Sequence, residues 1–311
     1  MEVTTPVDVV VAPNLKITEY FGNVASKDPR LSACICEVTG PCEEAYQTPG
    51  FDEYVLVLEG GVTIRVNDKD QFVEAGSGLF LAKGTRVKWS WDRPCKYVPI
   101  CLPAFSPANC GREEETGDHI AKPEESMQAL RALHEASKHE YLYHVAKVPR
   151  WEACKAAGRM YYPPTYKQDG FTHATADASK LIAVLNHFYQ DSPEDFVCLR
   201  LTTKSLESSG VTTVYEQTAP VGDIPAIDAG EQLFPHLLGG ISTEAGVVLQ
   251  ELPVTRDGSG RFLDIPGIKD FCEPSEKARR RRIVRSQMAA AGAAALAVGL
   301  GLGYLLGKRR A

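Results

Sequence analysis

The sequence predicts an all-β domain, then an α+β domain, then one C-terminal membrane-spanning helix. Three observations predict it. Up to about residue 107, short stretches of apolar and β-branched residues are broken by Gly, Pro and Asp, the pattern of a β-sandwich or barrel. From Tyr141 onward, strand-like segments alternate with segments of helical period, as in a mixed domain. Finally, Met288 to Leu306 is an uncharged run rich in Ala, Leu, Val and Gly.

A chain of 311 residues has room for two domains of roughly 100–200 residues beside such a tail. The boundaries read as 1–107 for the first domain, 108–140 for a linker and helix, and 141–266 for the second domain. A basic segment (267–287), the spanning helix (288–306) and a short basic tail (307–311) complete the chain. The formal net charge is −6, yet nine of the 34 basic residues and no acidic one lie from Lys277 onward. Residues 1–276 therefore carry 40 acidic against 25 basic groups, a balance that argues against nucleic-acid binding. The nine cysteines show no paired metal spacing and no disulfide framework, so a reducing compartment is expected.

In the first domain the expected strands are Val7–Ala12, Ser32–Val38, Glu53–Glu59, Gly61–Val66, Gly78–Leu81 and Lys96–Leu102. Gly40, Glu53 and Gly60 stand at the spacing of the first cupin motif, and Gly76 and Gly84 fit the glycines of the second. The stretch from Thr48 to Gly60 and the later Pro103–Pro107 are similar to the ethanolamine-utilisation type of cupin. This resemblance implies a jelly roll and pairing into a homodimer. The histidine ligands of the family fall on Tyr46, Thr48 and Val87, leaving Glu53 alone, and no histidine precedes His119. One carboxylate beside a phenol, a hydroxyl and a valine is a poor donor set for a transition metal, so no metal is expected. The candidate pocket is Tyr46, Thr48 and Glu53. Glu53 either pairs with Arg65, Lys83 or Arg86, or meets a small ligand beside Tyr46, Trp89 and Trp91; a barrel kept for packing or dimerisation is the plainer alternative.

The join is polar and acidic from Cys110 to Asp118. Pro123 then opens a helix with Met127, Leu130 and Leu133 at helical spacing. His134 and His139 fall near its end, where a surface or dipole-facing role is expected.

In the second domain, strands are expected at Tyr141–Ala146, Phe171–His173, Phe196–Leu201, Thr212–Tyr215 and Gly246–Leu252. Helices are expected from Trp151 to Arg159 and from Ala176 to Tyr189, the latter with Leu181, Val184, Leu185 and Phe188 on one face. Tyr143-His144, Trp151, Gly170-Phe-Thr-His-Ala-Thr175, Asn186-His-Phe-Tyr189, Tyr215-Glu216 and Phe234-Pro-His-Leu-Leu-Gly239 resemble the family of unknown function numbered 952. That family is similar in fold to the ADP-ribosyltransferases. The resemblance implies a cleft using NAD, with His144, His173 and Glu216 catalytic and Thr175, Tyr189 and His236 binding the cofactor. Cleaving the nicotinamide bond builds positive charge on the ribose, which a carboxylate stabilises, and Glu216 at a strand end suits that role. Taken one at a time, each of these residues has an ordinary structural role as its alternative, and neither usual transferase signature is reproduced cleanly.

The tail, at about 1.5 Å per residue, would extend roughly 28 Å as a helix. Lys277, Arg279–Arg282 and Arg285 precede it and Lys308–Arg310 follow it, flanks that suit snorkelling into headgroups. Met1–Pro13 has neither the basic start nor the apolar core of a secretory signal. The expectation is a single-pass C-terminal anchor with the head in the cytosol, on a mitochondrial or plastid outer membrane. Two functions stay open: an NAD-using transferase-like enzyme, or a non-enzymatic binding or recruitment module for a small molecule.

Overall fold

The protein is described by a computed structural model covering residues 3–268. Among these residues, ten strands build the first domain: β1 (Val7–Ala12), β2 (Leu15–Phe21), β3 (Ser32–Val38), β4 (Cys42–Glu43), β5 (Asp52–Glu59), β6 (Gly61–Val66), β7 (Lys69–Glu74), β8 (Gly78–Leu81), β9 (Val87–Trp91) and β10 (Cys95–Leu102). They pair antiparallel in two sheets, ordered β1-β2-β3-β10-β5-β8 and β4-β9-β6-β7. The two sheets form a double-sheet jelly roll, and alternation along the strands fills the space between them. Strand β5 turns Glu53, Val55 and Val57 inward and leaves Tyr54, Leu56 and Leu58 exposed. Trp89 and Trp91, two apart on β9, share one face and stack with Tyr97 at about 6 Å between ring centres. Gly60 makes the β5–β6 turn at φ +69°, with its α-carbon against the Pro94 carbonyl, a place closed to any β-carbon.

Helix α1 (Glu124–Lys138) opens after Pro123 and buries Met127 and Leu130 in the jelly-roll core. It also buries His134 edge-on to Phe105, which corrects the expected surface role: the ring occupies the apolar stripe that Leu133 was expected to share.

The second domain contains β11 (Leu142–Lys147), α2 (Val148–Ala156), α3 (Tyr166–Asp169), β12 (Thr172–His173), α4 (Leu181–Phe188), β13 (Phe196–Leu201), α5 (Thr203–Glu207), β14 (Thr212–Glu216), β15 (Phe234–Leu238), β16 (Gln250–Pro253), β17 (Thr255–Arg256) and β18 (Phe262–Asp264). Two three-stranded sheets, β11-β13-β16 and β12-β15-β14, are stitched together by an antiparallel bridge between Tyr143 and Thr175. Central strand β13 is buried at every residue, as a strand covered on both faces must be. Its Arg200 is fully buried. The guanidinium donates to Gln250 Oε1 at 2.5 Å and to the Ile268 carbonyl at 3.1 Å, flanked by the Tyr141 and Tyr143 rings.

The structure corrects the expected fold class. The described chain is mostly β, with short helices in the second domain. No helix among the described residues is long and apolar enough to cross a membrane, and the tail expected to do so, 288–306, lies outside them. The helix expected from Ala176 is a 3-10 turn at Ala178–Lys180 followed by α4, because the Asp177 carboxylate takes the Ser179 amide and opens a tight turn first. The strand expected from Gly246 begins only at Gln250, since Gly246 sits at φ +91° in a turn.

Candidate functional site

Three strands deliver three histidines to one cleft. His144 lies mid-β11. His173 and His236 face each other across the β12–β15 pair, their rings 5.7 Å apart and edge to face. Gly170, at φ +83°, ends α3 and turns the chain so that Phe171–His173 enters β12; Phe171 then stacks on His236 at 4.0 Å. Thr175, Leu181, Phe188, Tyr189 and Phe234 complete much of the wall. The cleft encloses about 540 Å³, part of it open to solvent.

His144 is committed on both ring nitrogens, His173 and His236 on one each. The His144 Nδ1–H donates to the His173 carbonyl at 2.7 Å, and Nε2 accepts from the Tyr161 hydroxyl at 3.4 Å. His173 Nε2 lies 3.0 Å from Asp169 Oδ2, and the other Asp169 oxygen accepts the Gly222 amide. His236 Nδ1 lies 3.0 Å from Glu216 Oε2. Burial lowers all three titrations. His144 falls to about 4; His173 and His236 also fall, each less than burial alone would give because Asp169 and Glu216 favour the charged ring. Near neutral pH the rings are therefore neutral, and His173 and His236 each keep one acceptor nitrogen once their N–H is given to a partner. Burial likewise pushes the Tyr189 phenol up to about 12.

His144, His173, Thr175, Tyr189 and His236 thus line one cleft. Glu216 does not line it. Its side chain is 63% exposed at the end of β14, across from Phe234 and diagonal to His236, and it reaches the cleft through the His236 ring. Asp169 escaped the sequence reading. Its only sequence cue was a carboxylate four residues before His173, and the α3 turn alone brings the two together.

The first-domain candidates separate. Tyr46 lies beneath the Arg86 guanidinium, 3.6 Å from its ring centre, and Thr48 is exposed. Glu53 alone of the three faces the jelly-roll interior. None of its expected partners reaches it: Arg65 binds Asp70, Arg86 binds Glu113, and the Lys83 amide donates to Asp52. Trp89 borders that interior cavity, whereas Trp91 does not. Among the described residues, no group of three or more His, Cys, Asp or Glu is arranged to hold a metal.

Comparison with known proteins finds partial matches. An endoribonuclease YbeY of Myxococcus xanthus (strain DK1622) is 34% identical over 96 residues, 30% of this chain and 32% of that protein. The chain thus spans about a third of the length of the curated relative it matches. Solved structures that are similar include the EutQ protein of Clostridium difficile (19% identity, TM-score 0.26, 29% of this chain and 68% of that one). An RmlC-like cupin from Shewanella frigidimarina NCIMB 400 is 17% identical at TM-score 0.28, over 32% of this chain and 85% of its own. KdgF of a Halomonas species is 13% identical at TM-score 0.28, over 32% and 87%. These overlaps are too partial to carry an argument, and the jelly-roll description rests on the strand order of this chain. Residues 145–249, which include His173, Glu216 and His236, match the family described as "Protein of unknown function (DUF952)".

Proposed function

We propose that the cleft of the second domain binds the nicotinamide–ribose end of NAD or of a closely related nucleotide. The observation that carries this reading is the convergence of three neutral histidines, two of them, His173 and His236, with an uncommitted acceptor nitrogen, in a largely apolar cleft. Such a wall takes hydrogen-bond donors on a flat or apolar body, as ribose hydroxyls and a carboxamide provide. Among the described residues that line the cleft there is no lysine or arginine, so the phosphates of the ligand are not what it grips. The test is calorimetric titration of the full chain with NAD and with nicotinamide riboside. Saturable binding of both is expected, weakened at least tenfold in His173→Phe, which keeps the ring but removes the acceptor. No binding of either compound by the unaltered protein overturns the reading.

A second reading adds turnover, and one contact favours it. The Glu216–His236 hydrogen bond sets a carboxylate one ring away from the cleft, and a fixed negative charge there favours an oxocarbenium-like ribose. Nicotinamide release from NAD by the full chain reads this directly. Glu216→Gln is expected to leave NAD affinity nearly unchanged and to cut release by about 10²–10³, the usual effect of removing one preorganised electrostatic contact. Absence of release from the unaltered protein removes the enzymatic reading and leaves the binding site.

A further inference from the structure

The interior of the jelly roll contains a second cavity of about 640 Å³, part of it open to solvent, walled by Phe51, Trp89, Tyr97 and Phe105. Three carboxylates and one ammonium reach it. The Lys122 ammonium is spent on Glu44, 2.9 and 3.0 Å from its two oxygens. Glu19 accepts the amides of Val24 and Ala25, both at 2.8 Å. Glu53 is different. It is 8% exposed, borders the cavity, and no hydrogen bond or ion pair among the described residues engages its side chain. Its carboxyl therefore faces the cavity with none of the described residues bound to it, and a ligand that donates to it or carries a positive charge would be held there.

The charge balance says what that ligand is. With Lys122 held by Glu44, no cationic side chain among the described residues that line the cavity is left to meet an anion. The lack of a three-ligand cluster among the described residues argues against a metal ion. Four aromatic rings favour an organic cation over a hydrated one, since ring faces attract ammonium groups. We propose that the first domain binds a small primary ammonium compound with an apolar body, its charged nitrogen on Glu53 and its body against the Trp89, Tyr97 and Phe105 rings. The site is separate from the second-domain cleft, so either assignment can fail without the other.

The experiment uses the full chain and three probes of one shape: benzylamine, benzyl alcohol and benzoate. Binding is followed by quenching of tryptophan emission, Trp89 being a wall of the cavity. Benzylamine, cationic at neutral pH, is expected to bind saturably, at least tenfold tighter than benzyl alcohol, with no response to benzoate. Glu53→Gln is expected to remove that preference and bring the amine to the level of the alcohol. Equal binding of amine and alcohol by the unaltered chain, binding of benzoate, or full retention of amine binding in Glu53→Gln overturns the proposal. The comparison of probes on the unaltered protein needs no variant, so it decides even if Glu53→Gln fails to fold.

Discussion

Acidification should unfold the second domain through His144, and the size of the effect follows from its position. The ring is 3% exposed and holds the His173 carbonyl at 2.7 Å. In the unfolded chain it titrates near 6.5; in place, burial depresses that to about 4. Between these values the unfolded state binds the proton and the folded state does not, so stability falls as pH falls. The contribution from keeping the ring neutral is complete above 6.5 and is lost on the way down to 4. At about 1.4 kcal/mol per pH unit, going from about pH 7.5 to about pH 4.5 costs this single group about 2–3 kcal/mol. The control is His144→Asn, whose side-chain amide still donates to the His173 carbonyl but does not titrate. Urea unfolding at the two pH values, read by hydrogen exchange of the β11 and β13 amides, gives the slope for each protein. Other acid-sensitive groups, including the buried His134, cancel in the difference. The unaltered chain should lose about 2–3 kcal/mol more than His144→Asn; parallel losses would refute the buried, neutral state of His144.

Two stability predictions follow from single contacts. Gly60→Ala should cost about 1–3 kcal/mol, because φ is +69° and the new methyl meets the Pro94 carbonyl, whereas Gly76→Ala, at φ +83° with open space around it, carries backbone strain alone and should cost less; equal urea midpoints for the two would refute the clash. Asn186→Ala should cost about 1–3 kcal/mol, since this amide accepts the Phe262 amide at 2.8 Å and donates to the Phe262 and Ile182 carbonyls, latching the β17–β18 hairpin to α4. Faster exchange at the Phe262 amide should accompany the loss, and unchanged exchange there would refute the latch.

Strand positions were legible where alternation and β-branched content coincide. Val7–Ala12, Gly61–Val66 and Phe196–Leu201 stand as read. Strand β2, whose LKITEYF sequence mixes apolar with charged and polar residues, and the largely exposed β7 carry too weak a local signal. They exist because neighbouring strands supply their hydrogen bonds, and that pairing is absent from a local window. The helix before Tyr189 was overextended for the converse reason: its apolar period runs on, but one carboxylate, Asp177, captures the backbone and starts a tighter turn.

For the sites, the chain by itself determined residue types: a histidine preceded by threonine, another preceded by proline, a glutamate after a β-branched strand, a cupin-spaced Glu53 without histidines around it. Those follow from composition and spacing alone. Which ring nitrogens are committed, that Asp169 stands behind His173, and that Glu216 meets the cleft only through His236 were decided by strand register and by the α3 turn. The same holds inside the jelly roll, where Glu44, Lys122 and Glu53 share a cavity though they come from the chain before β5, the residues ahead of α1, and β5 itself. A carboxylate's partner, its burial and hence its charge depend on groups distant in sequence, and only the closed tertiary fold brings them into one cavity.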